Sequence, residues 1–202
     1  MKTQIITIFA ALVLGIGVTN TVHAATVKTT DNSYTVLTDV SAINKIEVRG
    51  NVEVYISDGA ADQVKVYNKY YSESALIQSK SGVLRITSYK AEKLVVWVTA
   101  NDLRAISAFD NAQVKSFGNI SKIEFDVDLH DNASAKLNLD AFAAGVTVND
   151  NAKVSLSGTV TEYTLKCDRD QNVDHKNLVA DHATKTGTKA MAAKTLYLAD
   201  VQ

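Results

Sequence analysis

The chain has 202 residues, 46% of them hydrophobic, and its 21 basic and 22 acidic side chains give a formal net charge of −1. No basic stripe or acidic tail stands out along the sequence, which argues against nucleic acid and anionic membranes as partners. Cys167 is the only cysteine, so an internal disulfide is excluded.

The beginning of the chain has the pattern of a secretory signal. Lys2 precedes the apolar run Ile5–Val18, and Val22–Ala24 ends in a small residue suited to cleavage. This predicts a signal peptide over residues 1–24 and export of residues 25–202 to the periplasm, the cell surface or the medium. The apolar run is short for a membrane helix and no second one follows, so we expect no membrane span in the mature chain. An uncleaved anchor is the alternative.

A short repeat fills much of the second half of the chain. Each copy places alternating apolar residues on both sides of an Asp-Asn pair, and the copies follow one another at nearly constant intervals of about 20 residues. The fourth copy is degraded, with Arg169-Asp170 at the place of the Asp-Asn pair. The copies are Ile106–Val114, Val127–Ala135, Val146–Val154 and Leu165–Val173, with an earlier relative at Ile46–Val54.

Alternation with period two indicates β-strands, because successive side chains of a strand point to opposite faces. A unit of this length is too short for a propeller blade and fits one coil of a parallel β-solenoid. We therefore predict an all-β fold in one domain, a short single-chain parallel β-solenoid with coils over residues 101–178. A β-rich N-terminal cap over 25–100 and a C-terminal cap over 179–202 would cover its ends, where backbone would otherwise be unpaired.

The Asp-Asn pairs are predicted corners, at which the chain turns from one strand to the next. Asparagine tolerates positive φ better than most residues, so we expect it to hold the left-handed conformation there. Stacked aspartates leave three interpretations open: hydrated or turn-capping carboxylates, neutralisation by Arg169 and Lys153, or bound Ca²⁺. The corner residues are Asp110, Asn111, Asp131, Asn132, Asp150 and Asn151.

The same register places Leu129, Val148 and Cys167 above one another inside the fold. Cys167 is therefore expected to be a buried core thiol. A slip of one residue would exchange the inner and outer faces, so this stack tests the whole register.

Pairs of apolar residues in the first half carry a family resemblance. They surround Gly50 and Gly59 and comprise Ile46/Val48, Val64/Val66, Leu84/Ile86, Val96/Val98 and Leu103/Ile106. With these pairs the chain resembles the auto-transporter adhesin head domain (head GIN domain) family of Bacteroidetes over Ala42–Leu198. Small residues recur at the corners of that family, where this chain has Asp-Asn-Ala. The resemblance implies an exported β-solenoid protein and brings no catalytic residue with it.

Carboxylate pairs are the feature of this sequence that favours an enzyme. Asp126 and Asp128 share the outward phase of one predicted strand, and Asp168 and Asp170 share that of another. Paired carboxylates are how glycosidases work, so a glycan-active β-solenoid enzyme is the alternative function. His130 lies near them without a nucleophile motif or a zinc-binding pattern.

Tyr67, Tyr70 and Tyr71 are the predicted binding surface, because exposed tyrosines stack on sugars and dominate protein interfaces. The alternative is that they pack inside the N-terminal cap. We expect an exported, non-enzymatic surface or envelope protein, adhesin-like in binding or scaffolding, with no catalytic residue, metal or cofactor. Its expected partner is a surface glycan or an envelope protein, and a calcium-stabilised structural protein is a further alternative.

Overall fold

The structure, a computed structural model, describes residues 27–29, 34–37, 40, 42–68 and 71–187. Strands dominate these ranges, and the helical residues in them are two 3₁₀ turns, Tyr71–Glu73 and Asp170–Asn172. The all-β prediction is therefore confirmed. No helix of the described ranges is long and apolar enough to cross a membrane, and the predicted signal peptide lies outside them.

Fourteen strands of the described residues join into one sheet. In chain order they are β1 (Val27–Thr29), β2 (Thr35–Leu37), β3 (Lys45–Arg49), β4 (Val52–Asp58), β5 (Gln63–Val66), β6 (Ala75–Lys80), β7 (Val83–Ser88), β8 (Leu94–Ala100), β9 (Ala105–Ala108), β10 (Gln113–Ser116), β11 (Ile120–Leu129), β12 (Ser134–Val148), β13 (Lys153–Cys167) and β14 (Val173–Gly187).

Parallel pairing dominates the second half of the chain. Val146 of β12 lies opposite Val127 of β11 and Leu165 of β13, which hold the equivalent positions in the preceding and following copies of the repeat. Val127 also lies opposite Ile106 of β9, its equivalent in the copy before. The strands therefore pair in the register that the Asp-Asn pairs predict.

The predicted inward stack of Leu129, Val148 and Cys167 is confirmed. Leu129 lies opposite Val148, which lies opposite Cys167, and their exposed fractions are 0%, 2% and 4%. Burial raises the pKa of the Cys167 thiol, and a hydrogen bond to the Asp170 carboxylate raises it further. The thiol is thus protonated at neutral pH and belongs to the core.

Two early strands enter the parallel stack out of chain order. β3 lies between β7 and β9, and β4 lies between β8 and β10. Ile46 consequently faces both Leu84 and Ile106. Part of the predicted N-terminal cap is itself in the parallel stack.

Antiparallel strands complete the N-terminal side of the sheet. β1 pairs with β2, β2 with β5, β5 with β8 and β6 with β7 in antiparallel fashion. The sheet as a whole is therefore mixed, and only its larger part follows the parallel arrangement expected from the sequence.

The predicted corners are tight turns in which aspartate has the left-handed conformation. φ is 60° at Asp110, 58° at Asp131 and 56° at Asp150, and the asparagines that follow are not among the residues of positive φ. The expectation that asparagine holds this conformation is wrong. The N–H of Ala133 donates to the carbonyl of His130, so residues 130–133 form a turn closed by an i to i+3 hydrogen bond. Asp131, the second residue of this turn, has positive φ, as in a type II′ turn.

A ladder of hydrogen bonds explains why aspartate takes that position. The Asp131 carboxylate accepts the N–H of Asp110 at 3.0 Å, and the Asp150 carboxylate accepts the N–H of Asp131 at 3.1 Å. The Asp110 carboxylate accepts the N–H of Gly50 at 3.0 Å in the neighbouring turn. At Gly50, where φ is 83°, an added Cβ would collide with the carbonyl oxygen of Ser88, so only glycine fits.

Candidate functional site

The structure describes two of the three tyrosines of the predicted binding surface. Tyr67 is 43% exposed, and its ring centroid lies 5.5 Å from that of Tyr34. Tyr71 is half-buried against the core, and this burial raises its pKa. Tyr70 lies outside the described residues. Tyr71 thus follows the alternative interpretation, packing within the N-terminal region, whereas Tyr67 is accessible.

A different set of outward side chains is aligned across five strands. Lys65 of β5 lies opposite Trp97 of β8, and Trp97 lies opposite Tyr55 of β4. Tyr55 lies opposite Lys115 of β10, which lies opposite Lys136 of β12. We call these five residues the basic aromatic row. Except at the end of β10, their neighbours along each strand are buried apolar residues, so the row points away from the core.

The rings of the row and Phe117 form an aromatic cluster. The Tyr55 and Trp97 rings are stacked, with centroids 5.7 Å apart and planes 20° apart. Phe117, just after β10, packs its ring 4.7 Å from that of Trp97 and remains 63% exposed. The Trp97 indole N–H donates to the Ser57 hydroxyl at 3.1 Å, which orients the indole on the sheet. Such clusters offer apolar surface with little conformational entropy to lose.

Glu53 organises the charges beside the row. Its carboxylate lies 2.6 Å from Lys115 Nζ and 3.1 Å from Lys93 Nζ, and accepts the Tyr55 hydroxyl at 2.7 Å. These contacts, with the hydrogen bond from Lys115 largest, lower the pKa of Glu53 to about 2. The carboxylate therefore holds Lys115 and Tyr55 in place on the outer face.

Glu53→Gln is expected to destabilise the protein at neutral pH and to have much less effect near pH 2. The folded-state pKa of about 2 lies below the ordinary 4.5, so the ionised carboxylate stabilises the fold above pH 4.5. That contribution is lost as the pH falls from about 4.5 to about 2. Urea midpoints of both proteins across this range measure it, with Glu92→Gln at an exposed carboxyl as control. A stability difference between Glu53→Gln and the parent that does not change with pH would contradict the assignment.

A second surface feature is an acidic groove of about 670 Å³ on the outer face of β11, β12 and β13. Its floor consists of small residues of β12, and longer side chains of the two flanking strands form its walls. The groove is lined by the ionisable residues Glu124, Asp126, Asp128, His130, Glu162 and Lys166, and Gly145 is part of its floor.

The predicted pair Asp126 and Asp128 lies in this groove with unequal surroundings. Asp128 is 3.0 Å from His130 Nε2, and the His130 ring stacks on that of Phe109 at 4.8 Å. The pKa of Asp126 is raised, first by desolvation and then by the Glu124 charge, although much of the residue is exposed. A Cβ at Gly145 would meet the Asp126 carboxylate, so glycine makes room for that side chain.

The second predicted pair, Asp168 and Asp170, lies outside this groove's lining. Asp170 is 2.6 Å from Lys185 Nζ and contacts the Cys167 thiol. In the part of the chain that the structure describes, no group of three His, Cys, Asp or Glu side chains is placed to hold a metal ion. The turn aspartates accept backbone N–H groups of neighbouring turns, as the turn-capping interpretation expects.

Sequence reasoning missed the basic aromatic row. A signal for part of it is present, since Tyr55 and Trp97 each occupy the outward phase between apolar residues, at Val54/Ile56 and Val96/Val98. No local pattern brings Lys65 or Lys136 beside them, because only the strand order of the folded sheet does so.

Comparisons with known proteins relate most of the chain to one family. A family model described as "Putative auto-transporter adhesin, head GIN domain" matches residues 42–188. No curated protein matches the chain.

Solved structures show the same fold in Bacteroidetes proteins described as putative adhesins. That of Bacteroides fragilis is 16% identical, with a TM-score of 0.64 over 78% of each chain. That of Parabacteroides merdae is 12% identical, with a TM-score of 0.59 over 77% of each chain. That of Parabacteroides distasonis is 16% identical, with a TM-score of 0.58 over 78% of this chain and 79% of the other. At these identities the likeness concerns the fold.

Proposed function

This chain belongs to the head GIN domain family of auto-transporter adhesins, and from that premise we propose that it is an exported, non-enzymatic binding module of the cell surface or envelope. The observation that carries the proposal is the aromatic cluster of Tyr55, Trp97 and Phe117 on the outer face, in which Phe117 is exposed and the other two rings are half-buried. Aromatic residues dominate binding hot spots, and such a cluster on the outside of a single domain marks an interaction surface.

The architecture that presents this surface is, in our proposal, a short parallel solenoid with a β-rich N-terminal end. Parallel pairing between equivalent positions of successive repeat copies supports it. The proposed domain is residues 25–202, preceded by a signal peptide over residues 1–24. An elongated solenoid face suits repeated weak contacts with an extended partner and encloses a small substrate poorly.

The binding function is tested on an array of surface glycans and envelope proteins. The exported protein is expected to bind at least one class of ligand, and Trp97→Ala and Phe117→Ala are expected to weaken this binding by roughly tenfold or more, as hot-spot truncations do. Tyr89→Ala is the matched control, because Tyr89 is 70% exposed and lies in the turn after β7. Binding that is absent, or equally reduced in Tyr89→Ala, would refute the proposal.

Glycan cleavage through the acidic groove is the second candidate, favoured by the raised pKa of Asp126. If the protein cleaves glycans, it is expected to release new reducing ends from a bound polysaccharide, and Asp126→Asn is expected to abolish this release. Binding without such release, and unchanged in Asp126→Asn, supports the non-enzymatic function.

A further inference from the structure

We propose that the basic aromatic row binds an acidic polysaccharide, a polymer with one carboxylate on each sugar ring, laid across the strands. The inference rests on the proposed binding function and names its ligand class. It concerns the outer face of β5, β8, β4, β10 and β12, where the five residues of the row lie in register.

Charge on this face favours an anion. Lys65 and Lys136 stand at the two ends of the row, and Lys115 lies between them. Glu53 neutralises part of the charge of Lys115 and Lys93. Apart from Glu53, the positions beside the row on the same face are largely uncharged, among them Gln63, Thr99, Ser57, Gln113 and Ser134. The excess positive charge is therefore concentrated where a linear anion would lie.

The spacing of the row favours a polysaccharide over a peptide. Neighbouring strands are about 4.8 Å apart, so the row spans about 19 Å across four intervals. In an extended peptide, side chains on one face recur about every 6.6 Å, which does not match the interval between strands. Rings of an extended hexose polymer follow one another at nearly the strand spacing, so each ring can meet a successive strand.

The aromatic side chains supply the apolar part of the contact. Phe117 is 63% exposed beside Trp97, and the stacked Tyr55 and Trp97 rings lie between Lys65 and Lys115 in the row. Sugar rings present C–H groups to aromatic surface while their carboxylates reach ammonium groups. Because the row lies on the outer face of the sheet, each contact is weak and affinity grows with the number of sugars engaged.

Binding of polygalacturonate and of its fully methyl-esterified form tests the inference. The two polymers share a backbone and differ in charge. The exported protein is expected to bind polygalacturonate, more weakly as the salt concentration rises, and to bind the ester at least roughly tenfold more weakly. Lys65→Gln/Lys136→Gln is expected to weaken polygalacturonate binding by roughly tenfold. Lys80→Gln/Lys90→Gln removes the same charge from exposed positions outside the row and is expected to leave binding unchanged.

Three results would overturn the inference. The first is equal binding of acid and ester, which leaves the proposed binding function standing with a neutral glycan as ligand. The second is binding of polyglutamate or phosphatidylglycerol vesicles in place of polygalacturonate, which assigns the row to an acidic peptide or a membrane. The third is equal loss in the two double variants, which makes the effect one of net charge. Failure of the proposed function gives a different result, because Trp97→Ala would then leave the binding of every ligand on the array unchanged.

Discussion

Replacing Val148 with aspartate is expected to unfold the domain or to destabilise it by more than about 4 kcal/mol. Val148 is 2% exposed and lies between Leu129 and Cys167. An aspartate there would bury a charge without a partner between two apolar neighbours. Since a domain of this size has a net stability of about 5–15 kcal/mol, the loss is comparable to the whole. Urea unfolding followed by circular dichroism measures it.

Ser134→Asp is the matched control on the same strand. Ser134 points to the outer face, between Gln113 and Lys153, where a carboxylate stays hydrated and gains a lysine neighbour. We expect Ser134→Asp to change the free energy of unfolding of the protein by less than about 0.5 kcal/mol. If Ser134→Asp were the more damaging of the two, the assignment of inner and outer faces would be reversed.

Asp131→Val is expected to lower the free energy of unfolding by about 2–4 kcal/mol. The change removes the carboxylate that accepts the Asp110 N–H at 3.0 Å. It also places a β-branched residue at φ 58°, where its side chain is sterically strained. Asp131→Gly separates the two effects, because glycine loses the same hydrogen bond without the strain, and it is expected to be the milder variant.

Asn132→Val is the control for the turn. Asn132 is exposed, and its N–H donates to the Asp110 carbonyl, a bond that valine retains. The expected loss is below about 1 kcal/mol. Equal thermal midpoints for Asp131→Val and Asn132→Val would mean that the left-handed position and the carboxylate ladder contribute nothing to stability.

The inner face and its register could be predicted because the hydrophobic alternation of a strand is strict. Leu129, Val148 and Cys167 occupy equivalent positions in successive copies, and a buried face tolerates only one phase. The residue with positive φ could not be assigned, because aspartate and asparagine both tolerate that conformation and the two are adjacent. The next turn decides which of the two residues has positive φ, because the Asp150 carboxylate accepts the Asp131 N–H and this contact forms only between turns.

The basic aromatic row, the proposed binding surface, escaped prediction for a similar reason. Lys65 and Lys136 lie in different halves of the chain and separately look like ordinary solvated lysines. They align because β4 and β8 insert between β5 and β10, a strand order that no local pattern contains. The absence of a basic stripe in the sequence therefore does not mean the absence of a basic face in the fold.

The insertion of β3 and β4 separates the order of synthesis from the order of assembly. These strands leave the ribosome early, yet both of their neighbours, within residues 83–116, come later. The contact between Ile46 and Ile106 closes a loop roughly three times as long as that between successive later strands, at a cost of about 1 kcal/mol more in chain entropy. A chain exported as proposed would therefore expose the edges of its first parallel strands until residue 116 has emerged, and during that interval those edges could pair with other chains.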